Sequence, residues 1–206
     1  MQAPSKTTRK NILSFCFILA FFIVPFIGAN LYYHYFSAEQ RANPTTNRGQ
    51  MIQPPLAIAN LALKTPAQKP LATESLYGRW TLLYINPAPC EKMCERNLSN
   101  MRQIQLAVGK DQKRVARVLV TYANYLSPEL SNHLKSTYAG TLALLTHSAD
   151  LTEFLKPLPS HLSAIPQGYL YIVDPYGNLM MGYAPTANGQ DVLKDLERLL
   201  KVSQIG

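Results

Sequence analysis

Between Asn11 and Ser37 the sequence has no Asp, Glu, Lys or Arg. A helix needs about 20 predominantly apolar residues to cross the hydrocarbon layer, so this run is long enough to span. A cleaved signal peptide is the poorer reading. Its apolar stretch covers only about 7–15 residues and ends at a small-x-small site, which Ile27-Gly28-Ala29 matches poorly. Lys6, Arg9 and Lys10 precede the run and Glu39 and Arg41 follow it, so the positive-inside bias keeps the N-terminus cytoplasmic and exports everything after Ser37. Tyr32, Tyr33, His34, Tyr35 and Phe36 suit the outer headgroup belt, which makes His34 interfacial; Pro25 is tolerable as a mild kink. Cys16, inside the run, reads as an apolar filler.

Acidic residues are also scarce, 12 against 20 Lys and Arg, for a formal net charge of +8. Such a balance can signal nucleic acid, but the basic residues are spread along the chain. The densest group, Lys110, Lys113, Arg114 and Arg117, is interrupted by Asp111 and lacks interleaved aromatics. No reading helix or stacking platform accompanies the charge, so nucleic-acid binding is not expected. Large apolar residues are thin from Ala38 to Ser75, where Pro44, Pro54, Pro55, Pro66 and Pro70 lie among Thr, Asn, Gln and Ala. This composition predicts a Pro-rich linker over residues 38–76, with Ile52, Leu56, Ile58, Leu61 and Leu63 arguing for some local contact.

From Tyr77 short apolar runs alternate with amphipathic stretches, the pattern of an α/β domain over residues 77–206. Strands are expected at Trp80–Ile85, Val115–Thr121, Thr141–Thr146, Tyr169–Val173 and Leu179–Tyr183. Helices are expected at Cys90–Val108, near Ser127–Tyr138 with Ser127 as its cap, from Ser148 to about Lys156, and at Asp191–Val202. Asp174-Pro175-Tyr176-Gly177 has turn chemistry and makes the last two strands a hairpin. This order is that of a thioredoxin-like three-layer domain with an insertion, behind one N-terminal transmembrane helix.

Cys90-Glu91-Lys92-Met93-Cys94 sits where the first strand hands over to its helix. A spacing of four puts both thiols on one helical face, with the first at the N-terminus, where the dipole and free N–H groups favour a thiolate. Glu91 and Glu95 oppose that effect and Lys92 supports it. Two chemistries fit: reversible disulfide exchange, with Cys90 and Cys94 as the catalytic pair of a thiol–disulfide oxidoreductase, and binding of a soft ion such as Cu(I) through both thiolates. A permanent disulfide in an oxidising compartment is the structural alternative. His147, following a strand, and His133, on a polar helix face, read as ordinary surface histidines; Met93, Met180 and Met181 read as gap fillers before thioether ligands.

Strand Trp80–Ile85, Cys90-x-x-x-Cys94, the signature Tyr169-Leu170-Tyr171-Ile172-Val173-Asp174-Pro175-x-Gly177 and the closing helix together resemble the Sco/SenC proteins, over roughly Tyr77–Val202. The stretches Cys90–Leu98, Arg102-Gln103 and Arg114–Val118 look like a small-protein group that accompanies oxidase assembly genes in proteobacteria. The resemblance implies a membrane-anchored thioredoxin-fold factor that helps deliver copper to cytochrome c oxidase. It departs from the family where a His, the third copper ligand, is expected near Pro166. Ile165-Pro166 instead resembles the cis-proline loop of thioredoxins, and His161, five residues earlier, reaches the cysteines only if the loop folds back. The expectation is therefore a single-pass protein of a bacterial inner membrane with a periplasmic domain. It assists assembly of a copper-containing oxidase through Cys90 and Cys94, in contact with an oxidase subunit or another assembly factor. A non-catalytic scaffold protein with a fixed Cys90–Cys94 bridge is the alternative. A secreted peroxidase lacks support, since no Thr or Ser stands three residues before Cys90.

Overall fold

The computed structural model describes residues 17–31, 47–86, 89–160, 162–163 and 168–205. The chain divides into two compact units, Met1–Thr46 and Asn47–Gly206. In the first, residues 17–31 form helix α1, whose side chains, including Phe17, Phe21, Phe22, Val24 and Phe26, are all exposed. The expected span of 11–37 runs past α1 into residues outside the described set; among the described residues no helix is long and apolar enough to cross a membrane. Cys16 and His34 also lie outside the described residues.

The second unit is one six-stranded sheet with helices on both faces. Its elements are β1 (Gln50–Ala57), β2 (Trp80–Asn86), α2 (Lys92–Ala107), β3 (Val115–Tyr122), α3 (Pro128–Ser136), β4 (Thr141–Thr146), α4 (Ser148–Leu155), β5 (Leu170–Val173), β6 (Asn178–Tyr183) and α5 (Gly189–Val202). The strand order is β1-β6-β5-β2-β3-β4, with β2, β3 and β4 parallel and β5, β6 and β1 antiparallel to their neighbours. All seven residues of β2 are buried, as a central strand covered on both faces requires. Leu83 and Ile85 point into the core shared with α4, around Leu151 and Phe154. Trp80, Leu82 and Tyr84 point into the core shared with α2, α3 and α5, around Leu98, Met101 and Leu196.

Local chemistry sets the boundaries. The Ser127 hydroxyl accepts the Leu130 N–H at 3.2 Å, and Pro128 stands in the first turn, where its missing N–H costs nothing. Asp174 Oδ1 accepts the N–H groups of Tyr176 and Asn178 at 2.9 and 2.8 Å, closing the β5–β6 turn. Gly177 there has φ of +84°, and a Cβ on it would run into the Tyr77 ring.

The boundary expected at Tyr77 is corrected by this structure. β1 pairs with β6 and belongs to the sheet, and Ile52, Ile58, Leu61, Leu63 and Leu76 are buried in the α4-side core. Prolines misled the compositional reading. Pro54 and Pro55 lie on the outermost strand, where the β1–β6 register shifts between Met51 and Leu56, and a bulged edge strand does not need their missing N–H groups. The start of the unit is tied down by Asp195, a buried residue of α5. Its Oδ2 accepts the Arg48 and Gly49 N–H groups at 2.8 and 2.7 Å and the Tyr183 hydroxyl at 2.9 Å.

Candidate functional site

β2 ends at Asn86, and α2 begins at Lys92, two residues later than the sequence predicts, with Glu91 as its N-cap residue. Cys90 stands just before that cap and Cys94 in the first turn. The two form a disulfide with their Cα atoms 5.1 Å apart. Helix geometry separates their environments: Cys94 points into the α2 core and is 1% exposed, whereas Cys90 is half-buried. Met93, between them, is 38% exposed and packs into no core.

Cys90 opens onto a cleft of about 520 Å³ between the start of α2 and the start of α3, lined by Pro89, Glu95, Ser127, Glu129, Leu130 and His133. Glu95 Oε1 lies 4.0 Å from Cys90 Sγ. Its other carboxylate oxygen is held by His133 Nε2 of α3 at 3.0 Å and by the hydroxyl of Tyr138, just past the end of α3, which donates at 3.0 Å. The imidazole and phenol rings meet edge to face, 5.3 Å between centroids. Burial, and then the Glu95 carboxylate, push the Tyr138 hydroxyl above the usual phenol range, so it stays a donor to Glu95. In the same core as Cys94 and Tyr138, the buried Tyr84 hydroxyl donates to Asn86 Oδ1 at 3.2 Å, and burial also raises its pKa.

Of the residues singled out by sequence, the structure brings together Cys90 and Cys94. His133, read as an ordinary surface histidine, lines their cleft. His147 lies elsewhere, its Nε2 3.1 Å from Lys64 Nζ. Met181 is core, 3.5 Å from the Tyr183 hydroxyl, and Met180 packs against the same core. Pro166 and His161 lie outside the described residues. Glu95, His133 and Tyr138 as a group escaped the sequence because they meet only once α3 is packed against α2, and no motif spans that distance.

Chemically, the arrangement offers one accessible sulfur, one shielded sulfur and a cleft that admits a partner to the first. For metal, two adjacent thiolates supply soft donors once reduced. Among the described residues no group of three or more His, Cys, Asp or Glu side chains could hold a metal ion.

The family model described as the transmembrane-like, thioredoxin-like, C-terminal domain matches residues 80–203. A curated relative from Stutzerimonas stutzeri, named "Putative copper-binding protein", is 30% identical over 105 residues, 50% of this chain and 52% of that protein. The chain thus spans about half the length of the curated relative it matches. Among solved structures, Arabidopsis thaliana ScoI with copper bound superposes with a TM-score of 0.55 at 12% identity, covering 69% of this chain and 97% of that one. BsSco, described with a disulfide switch and as a member of the Sco family of cytochrome c oxidase assembly proteins, superposes with a TM-score of 0.52 at 17% identity, covering 76% and 97%. At these identities the likeness is one of fold: the second unit resembles Sco proteins in its thioredoxin-like architecture.

Proposed function

We propose, for a chain that belongs to the transmembrane-like, thioredoxin-like C-terminal domain family, a role as a membrane-anchored thiol–disulfide protein that serves assembly of a copper-containing oxidase. The observation that carries this reading is the asymmetric pair: a disulfide at the β2–α2 junction with Cys94 buried and Cys90 open to a cleft. A bridge kept only for stability gains little from so short a loop, because closing few residues constrains the unfolded chain least. The copper and disulfide descriptions of the Stutzerimonas and Sco proteins supply the process.

In the exchange, reduced Cys90 attacks one sulfur of a partner disulfide as thiolate. The partner's S–S bond breaks, and its other sulfur leaves with the electron pair and takes up a proton. Cys94 then gives up its proton and attacks Cys90 Sγ, releasing the partner's first sulfur as a thiol. The partner gains two electrons and two protons, and Cys90 and Cys94 lose them. A dithiol reductant in the same compartment restores the pair.

The anchor in this reading is the uncharged run around α1. A helix apolar on every side belongs in a core or in a bilayer, and all of α1's described side chains are exposed. With Lys6, Arg9 and Lys10 ahead of it, the second unit faces the envelope, the periplasm of a bacterium. A reporter enzyme that works only after export is expected to be active when fused after Gly206. Activity confined to a cytoplasmic reporter at that position would remove the compartment and the redox reading with it.

Copper is cargo in a second reading, favoured by two sulfurs close enough to bond to each other and by the relative named for copper binding. Two thiolates suit Cu(I), whereas Cu(II) wants further nitrogen or oxygen donors in a tetragonal arrangement. The reduced full-length chain is expected to take up Cu(I) in competition with a chromogenic chelator, to lose that uptake in Cys90→Ser, and to form no stable Cu(II) complex. Tight Cu(II) binding that disappears in His161→Ala would contradict this, since it would bring a third ligand from the loop before Pro166.

A further inference from the structure

We infer that Glu129, at the mouth of the cleft beside Cys90, selects positively charged cysteine-bearing segments as the exchange partners of the Cys90–Cys94 pair; this rests on the thiol-exchange reading. Cys94 is 1% exposed, so a partner sulfur has to approach Cys90, and the cleft between α2 and α3 is the opening beside that sulfur. The cleft's polar wall consists of Glu95, Ser127, Glu129 and His133. Three of these are already engaged within the fold. Ser127 caps α3 through the Leu130 N–H, and Glu95 is held by Tyr138 and His133.

Glu129 is different. It is exposed and makes no hydrogen bond or ion pair with any described residue, although it lines the same cleft as Cys90. The cap of α3 is supplied by Ser127, so Glu129 is not needed for that purpose. Glu91, the residue after Cys90, is likewise exposed and unpaired among the described residues. Lys92 is the one opposing charge in the cysteine motif. The entrance to the reactive sulfur is therefore acidic in a chain whose formal net charge is +8. A Lys or Arg beside the partner's cysteine meets an unpaired carboxylate there, an attraction that strengthens where the protein lowers the local dielectric. An acidic segment meets repulsion of the same size. Selection by charge in this way acts mainly on the encounter rate and weakens with ionic strength.

The test uses the reduced full-length chain in detergent and two disulfide-bonded peptides of equal length, one with Lys and one with Glu beside the cysteines. Stopped-flow rates of peptide reduction are expected to favour the Lys peptide about tenfold at low salt, with the ratio falling to about two in 1 M salt. Glu129→Gln is expected to cut the low-salt ratio several-fold, and Glu129→Lys to reverse it. A ratio near one at low salt, or a ratio that Glu129→Lys leaves unchanged, overturns the inference while the exchange reading stands. Reduction of neither peptide overturns the exchange reading itself, and the inference with it.

Discussion

A chain cut to begin at Tyr77 is expected to fail to fold, whereas one cut to begin at Asn47 is expected to melt cooperatively. The shorter cut removes β1 and with it Ile52, Ile58, Leu61 and Leu63, each no more than 3% exposed. Burying an aliphatic side chain of that size contributes about 1.5–3 kcal/mol, so the four approach the roughly 5–15 kcal/mol that holds a typical domain together. The loss does not stop there. β6 is left with an unpaired edge, and the Asp195 carboxylate, 1% exposed, loses the Arg48 and Gly49 N–H groups that satisfy it. The Tyr183 hydroxyl alone remains on that oxygen, and a buried acceptor left short of donors costs about 1–3 kcal/mol more. Circular dichroism on both fragments checks this. A sharp thermal transition in the 77–206 fragment, within a few degrees of the 47–206 fragment, would mean that β1 is an ornament on the sheet.

The same segment marks where the sequence could and could not be read. From Trp80 onward local signals place the elements to within a few residues: β4 falls on Thr141–Thr146 as expected, and Ser127 caps α3 with the hydrogen bond its side chain promises. Those elements carry their own local signals, alternation, caps and the Asp174 turn. β1 carries none, because its prolines occupy a bulge on the sheet edge, where pairing with β6 decides the structure and local propensity does not. The apolar residues noted in that segment were core residues whose partners lie far along the chain.

The site was legible to the same degree. Cys90 and Cys94 announced themselves by spacing and by their place after a strand, and their different burial follows from the helix starting at Lys92. The cleft did not, because it exists only where α3 comes alongside α2. His133 looked like a residue of a polar helix face, and it is one, but that face turns toward Glu95 and Cys90. His161 and Pro166 fall outside the described residues, so the fold leaves their expected roles as they stood.

Cys90→Ser is expected to abolish reduction of a disulfide-bonded partner, and Cys94→Ser to stall it as a mixed disulfide on Cys90. The asymmetry follows from access: a partner reaches the half-buried sulfur, and only the buried one, already within bonding reach, can release it. A fixed bridge gives neither result, since neither cysteine then meets a partner. Both outcomes reduce to how readily the bond opens, so the decisive measurement is the midpoint potential of Cys90–Cys94. The full-length chain is equilibrated in dithiothreitol buffers of graded ratio and the free thiols are alkylated and counted. The exchange account expects a midpoint above about −300 mV, within reach of cellular dithiols. A midpoint well below about −300 mV would place the bond with structural disulfides and leave the chain a scaffold with a thioredoxin-like fold.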